Sequence, residues 1–198
     1  MTDSSTTNGP EAAASPAPSP TGAAARPPAT PDDLFARLDA LGIAAATTEH
    51  EAVFTVEESR HLRGLIPGGH VKNLFLRNKK GRQWLVVCEE ERAVDLKALG
   101  TLLGAGRLSF GSPERLRAAL GVEPGSVTPF AVINDPDGAV ETVIDAHLMS
   151  FETINAHPLV NTMTTSIARD DLLRFMEACG HTPRILDLDA TAGGADAG

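Results

Sequence analysis

Acidic residues are missing from one long stretch of a chain that is otherwise acidic. Between Ser59 and Cys88 there are seven Lys and Arg residues and no Asp or Glu, while the whole sequence carries a net charge of −9. Other absences narrow the field. Only two cysteines occur, Cys88 and Cys179, so neither a paired-Cys metal motif nor a disulfide framework is implied. Both read as core or near-core thiols. No apolar run reaches the roughly 18 residues a membrane helix needs. The start lacks the basic-then-apolar order of a secretory signal, which makes the cytoplasm the expected location. The six histidines show no pair at i, i+4 with a carboxylate partner. Ser–His and Cys–His triad signatures, a phosphate-binding P-loop and G-x-G-x-x-G are absent too. Nucleotide hydrolysis and dinucleotide redox chemistry are therefore not expected, and no metal or cofactor is. A protein that coats nucleic acid indiscriminately is usually basic, so any nucleic-acid contact here should be local.

What is present begins with a leader. Residues 1–29 are almost wholly Ala, Pro, Ser, Thr and Gly, and too little of that surface is apolar to offset the entropy of ordering. They are expected to be disordered, as is the tail 189–198, leaving one domain over 30–188. Thr30-Pro31-Asp32-Asp33 predicts a capped helix start with Pro at the first position, and Gly42 ends that helix. A short strand is expected over Ala45–Glu51. Thr55-Val56-Glu57-Glu58 has the form of a capping box and predicts a helix to about Arg63. Val71–Arg77 and Gln83–Cys88 predict strands around the turn Asn78-Lys79-Lys80-Gly81. Helices are predicted over Asp95–Leu103, from Ser112 to Gly121, and over Ala168–Cys179. Thr128–Ile133 and Val140–Asp145 read as strands of a hairpin turning at Asp135-Pro136-Asp137-Gly138. Phe151–Asn155, Thr162–Ile167 and Arg184–Leu188 add three more strands. This mixture predicts an α+β domain with a mixed, mostly antiparallel sheet flanked by helices.

Three places look able to meet a ligand. Gly68-Gly69-His70-Val71-Lys72-Asn73 delivers a lysine to a strand entry, and lysine is a compact charge with three donors, suited to a phosphate. A solvated surface turn would carry the same charges. The loop Gly125-Ser126-Val127-Thr128-Pro129 can present backbone groups without a side chain in the way. It also makes a sound turn and nothing more. Asn155-Ala156-His157-Pro158-Leu159-Val160-Asn161-Thr162 sets four polar side chains beside an apolar stretch, with His157 able to titrate near neutrality or to serve as a hydrogen-bonded turn residue.

Taken in order, Phe54-Thr55-Val56-Glu57-Glu58, Val71-Lys72-Asn73-Leu74-Phe75-Leu76, Asp95-Leu96-Lys97, Leu108-Ser109-Phe110, Gly121-Val122 with Pro124-Gly125-Ser126-Val127-Thr128-Pro129-Phe130, and His157-Pro158-Leu159 with Asn161-Thr162 resemble the aminoacyl-tRNA editing family. That family holds YbaK-type deacylases and the insertion domains of bacterial prolyl-tRNA synthetases. The likeness runs over roughly 32–188 and is nearest to freestanding prolyl-tRNA editing proteins. It implies hydrolysis of the ester of mischarged tRNA(Pro), with alanine as the expected amino acid. The alternatives are cysteine, as in the YbaK branch, or a non-catalytic tRNA-binding module. It further implies that Lys72 holds the phosphate near the tRNA 3′ end, and that Gly125 and Ser126 act with it at the ester. Thr55, Asn73, Val127, Thr128, Pro129, Asn155 and His157 would line the substrate pocket. Water would be the nucleophile, helped by positioning and the substrate's ribose hydroxyl. Arg77, Lys79, Lys80 and Arg82 are the candidates for acceptor-stem contacts, or else a solvated hairpin tip. A synthetase or an elongation factor is the expected transient protein partner, and no membrane is.

Overall fold

Strand β2 (Gly69–Asn78) and strand β3 (Gln83–Glu89) form the centre, an antiparallel pair in register from Val71 opposite Glu89 to Arg77 opposite Gln83. Their alternation divides the interior into two cores, because successive side chains point to opposite faces. Leu85 and Val87 face the larger core, with Leu34, Leu120, Phe130 and Phe175. Trp84, Val86 and Cys88 face the smaller one, with Leu99, Leu103 and Leu188. Full burial of each large apolar side chain contributes about 1.5–3 kcal/mol. A computed structural model describes residues 27–51 and 66–189 of the chain. The helix expected over 55–63, Thr55 with it, and nearly all of the expected leader and tail lie outside those residues.

Around the central pair the sheet runs β1 (Ala45–Glu49), β7 (Met163–Ala168), β6 (Thr153–Ala156), β2, β3, β5 (Val140–Asp145), β8 (Arg184–Leu186), with β4 (Leu108–Phe110) paired to the far end of β2. The sheet is mixed: β6, β5 and β8 join parallel to β2, β3 and β5, and the other pairings are antiparallel. Helices α1 (Pro31–Ala40), α3 (Pro113–Leu120) and α4 (Arg169–Ala178) bury Leu34 and Leu38, Leu116 and Leu120, and Leu172, Phe175 and Met176. Helix α2 (Leu96–Leu102) buries Leu99 against the smaller core. The caps are those expected: Thr30 and Asp33 close a capping box, and Ser112 caps α3, which ends at Gly121 with φ +64°. Among the described residues no helix is long and apolar enough to cross a membrane.

One expected element is different. Thr128–Ile133 is not a strand: Pro129–Asn134 forms a 3-10 helix. Pro129 has no N–H to give a ladder, and the Thr128 hydroxyl accepts the Phe130 N–H at 3.3 Å, closing a local turn instead. The predicted hairpin therefore does not form. The Asp135 carboxylate accepts the amides of Ala139 at 3.1 Å and Val140 at 2.7 Å, and it aims β5 into a parallel pairing with β3.

Candidate functional site

Two glycines set the entry of β2. A Cβ on Gly68, whose φ is +120°, would lie 2.8 Å from the Thr153 carbonyl, and one on Gly69 would lie 2.8 Å from the Phe151 ring. Only glycine lets the chain pass that close to β6. Asn155 pins the same turn: its Nδ2 donates to the Pro67 carbonyl at 3.1 Å while its Oδ1 accepts the Ser166 hydroxyl at 2.6 Å. With 2 % of its surface exposed, Asn155 holds the turn from behind.

Beyond the turn, consecutive side chains part company. Lys72 lies on the side of the smaller core, paired across the ladder with Cys88, and its Nζ donates to the carbonyls of Glu90, at 3.0 Å, and of Arg92. Two of the three ammonium donors thus have partners among the described residues. Asn73 points to the other face and donates Nδ2 to the Val127 carbonyl at 2.9 Å, tying β2 to the Gly125 loop. Only the amide nitrogen can meet a carbonyl, so Oδ1 is directed away, and it is buried with no hydrogen-bond partner among the described residues. Burial pushes the Cys88 thiol up to about 11, with Lys72 partly opposing it, so Cys88 is a packed thiol and a poor nucleophile.

In the Gly125 loop, Gly125 has φ +90° and faces Asn161, whose Nδ2 lies 3.7 Å from where a Cβ would stand. The Ser126 amide is spent on the Glu123 carbonyl at 3.0 Å, and the Ser126 side chain is buried. The Thr128 hydroxyl caps Phe130, and Pro129 opens the 3-10 helix. The amides of Gly125 and Val127 have no partner among the described residues.

His157 is oriented by its Nδ1–H, which donates to the Met163 carbonyl at 2.9 Å and leaves Nε2 as the acceptor of the neutral ring. Burial is the main force holding it below the ordinary histidine range. The Met163 carbonyl opposes that, while His50 and His70 add to it and Glu90 opposes it. The ring centroids of His50 and His157 are 6.2 Å apart. His50 is itself held by the Glu51 carbonyl at 2.7 Å and the Thr164 hydroxyl at 2.9 Å. Leu159, two residues on, has φ +69°, a left-handed conformation that costs a bulky side chain of order 1–3 kcal/mol and is held by burial in the larger core. Among the described residues no three His, Cys, Asp or Glu side chains are placed to hold a metal ion.

Behind Lys72 stands an ion-pair network that sequence reading missed. Arg92, whose carbonyl receives Nζ, sets Nε 3.1 Å from the fully buried Asp145 carboxylate and Nη1 2.7 Å from Asp189. Asp145 also accepts the amides of His147 and Leu188, which fastens the segment after β8. Nothing in the local spacing signals partners so far apart in the chain. Of the candidate stem contacts, Lys79 and Lys80 are exposed at the β2–β3 turn and Arg77 is half-buried. Arg82 is engaged: it meets Glu141 at 2.5 Å and lies 5.0 Å above the Trp84 ring.

Comparison with known proteins places the chain in a family. The family model for the aminoacyl-tRNA editing domain matches residues 50–175. The prolyl-tRNA editing protein ProX of Acetoanaerobium sticklandii is 38% identical over 156 residues, covering 78% of this chain and 95% of that protein. The prolyl-tRNA synthetase associated domain-containing protein 1 of Mus musculus is 38% identical over 163 residues, covering 79% of this chain and 95% of its own. A crystal structure described as a candidate trans-editing enzyme for prolyl-tRNA synthetase superposes with a TM-score of 0.62 at 22% identity, covering 79% of this chain and 96% of that one, and so shares the fold. With its sheet, its glycine turns and its motif order in place, the chain belongs to the aminoacyl-tRNA editing domain family.

Proposed function

We propose that this protein hydrolyses the ester linking a wrong amino acid to tRNA(Pro), with Ala-tRNA(Pro) as its preferred substrate, in the cytoplasm where the tRNA is charged. The observation that carries the reading is the Asn73–Val127 hydrogen bond, which couples the lysine strand to the Gly125 loop. Lys72, poised on two carbonyls, turns its charge to the phosphate at the tRNA 3′ end and fixes the ester in place. The unpartnered amides of Gly125 and Val127 are the donors for the oxyanion that develops when water attacks. Such donors supply several kcal/mol without an ionisable group, and positioning supplies a comparable amount. The buried Asn73 Oδ1 accepts the substrate's α-ammonium. Neutral His157 lines the pocket beside Asn161. Lys72 is neither base nor nucleophile.

A pocket of alanine size excludes proline by bulk. Serine differs by one small group, worth only about 1–3 kcal/mol in an apolar pocket, so it leaks through. The names of the ProX relative and of the mouse relative point to the same tRNA. The test is single-turnover deacylation of tRNA(Pro) carrying alanine, serine, cysteine or proline. Alanine is expected to leave fastest, serine about 10–100-fold more slowly, and proline at the uncatalysed rate. Faster release of cysteine than alanine would overturn the substrate, and no release above buffer would leave a tRNA-binding module.

A further inference from the structure

The acid-free stretch that ends at Cys88 has a second one folded against it. Residues 96–113 also contain no Asp or Glu and carry Lys97 and Arg107. Pairing of β4 with the end of β2 brings the two together, with Ser109 opposite Arg77 and Leu108 opposite Asn78. Asn78 Nδ2 adds a bond to the Ala105 carbonyl at 3.0 Å. Helix α2 closes tightly over this junction because Gly100 has no side chain; a Cβ there would lie 2.2 Å from the Gly106 carbonyl. What is left between α2 and β4 is a groove of about 510 Å³ lined by Leu96, Lys97, Thr101, Gly106, Arg107 and Leu108.

Its charge is uncompensated. Among the described residues Lys79, Lys80, Lys97 and Arg107 make no ion pair, whereas Arg82, Arg92, Arg117, Arg169 and Arg174 do; Arg37, Arg115 and Arg184 make none either, and what sets the four apart is that the β2–β4 pairing gathers them at one junction. Asp95, which starts α2, turns its carboxylate to the Lys97 amide at 2.7 Å as the helix cap, and Glu141 is held by Arg82 and Trp84. Phe110, exposed over 61% of its surface, stands on the same edge strand and offers a ring face to a sugar or base. Asn78 lies six residue steps along β2 from Lys72, which at about 3.3 Å each is about 20 Å.

We infer that this groove, with Lys79, Lys80, Lys97 and Arg107, seats the phosphate backbone of the acceptor-stem duplex while the 3′ end reaches Lys72. Duplex RNA is recognised mainly by backbone and shape, which suits a row of free cations beside a groove. The inference rests on the proposed reaction and adds its docking surface; Arg82 drops out of the candidate contacts and Lys97 and Arg107 join them. In a protein of net charge −9 the rest of the surface repels RNA, so the row also fixes the direction of approach.

The test is the double variant Lys97→Gln, Arg107→Gln. Two substrates are compared, full-length Ala-tRNA(Pro) and an alanylated CCA trinucleotide with no stem. With the whole tRNA, KM is expected to rise about tenfold at unchanged kcat, and the slope of log KM against log salt to flatten by about one unit for each phosphate no longer held. The trinucleotide should be hydrolysed as by wild type, and Lys97→Arg with Arg107→Lys should keep the affinity for whole tRNA. Equal KM and equal salt slope in the Gln variant would overturn the docking surface while leaving the reaction intact. If wild type hydrolyses neither substrate the reaction is wrong, and anisotropy with uncharged tRNA then judges the surface alone. Weaker, less salt-sensitive binding by the Gln variant supports it, and identical binding refutes it.

Discussion

His157 shows how far a single residue can be read in advance. Its place beside Asn161 in a polar loop follows from the motif, but its protonation does not, because that depends on His50, His70 and Glu90 arriving from other elements. Its pKa in the folded chain lies below the ordinary value of 6.5, chiefly through burial. Above that value both folded and unfolded chains hold it neutral, and its contribution to stability is fully present. As pH falls below 6.5 the unfolded chain takes up the proton first, so stability is lost, by at most about 1.4 kcal/mol per pH unit for one proton. An NMR titration of the His157 ring is therefore expected to give a midpoint under 6.5, and His157→Gln to flatten the acid limb of the unfolding curve. A midpoint at or above 6.5 would mean the ring is not buried as described. Asn73 and Asn155 differ in the same way. Both sit in motifs, yet one bridges to the Gly125 loop and the other is spent on the turn at Pro67.

Among the elements, those with strong local signals appear where the pattern puts them. The capped helices α1 and α3 and the strands β2 and β3 are examples, because Thr30, Pro31, Ser112 and the apolar runs act through near neighbours. Elements decided by distant partners were not legible. Pro129–Asn134 is a local exception: it has the apolar content of a strand, and its own Pro129 without an N–H, the flanking Thr128 cap and the Asp135 turn make it helical. The three-residue strand β4 exists because β2 leaves an edge for it, and the β6–β2 pairing is parallel over just two residue pairs. The turn between β3 and α2 is held from outside by Asp145. Asp145→Asn leaves Arg92 short of its buried partner and should cost about 3 kcal/mol in urea unfolding. Asp189→Asn, on the exposed side of the same guanidinium, should cost less than about 1 kcal/mol. Equal costs would show that the network is only a surface ion cluster.

For the molecule as a whole, one end of the sheet gathers Lys72, the Gly125 loop and the His157 loop, and a row of cations with no ion pair among the described residues runs from β2 toward α2 and β4. The acid-free run was visible in the linear sequence; its doubling by 96–113 was not, since pairing of β2 with β4 brings together residues about thirty positions apart. The lysine's fitness for a phosphate is legible in the sequence, while its anchorage on the Glu90 and Arg92 carbonyls is set by the fold. The measurement that tests the central claim most directly is the rate of ester loss from Ala-tRNA(Pro) by Lys72→Ala, with its melting curve recorded alongside. The expected result is a fall of at least about 10²-fold, the scale of losing one well-placed electrostatic interaction, in a variant that still folds and melts only somewhat lower, because Lys72 packs in neither core and gives up only its bonds to the Glu90 and Arg92 carbonyls. Turnover equal to wild type in a fully folded variant would contradict the account.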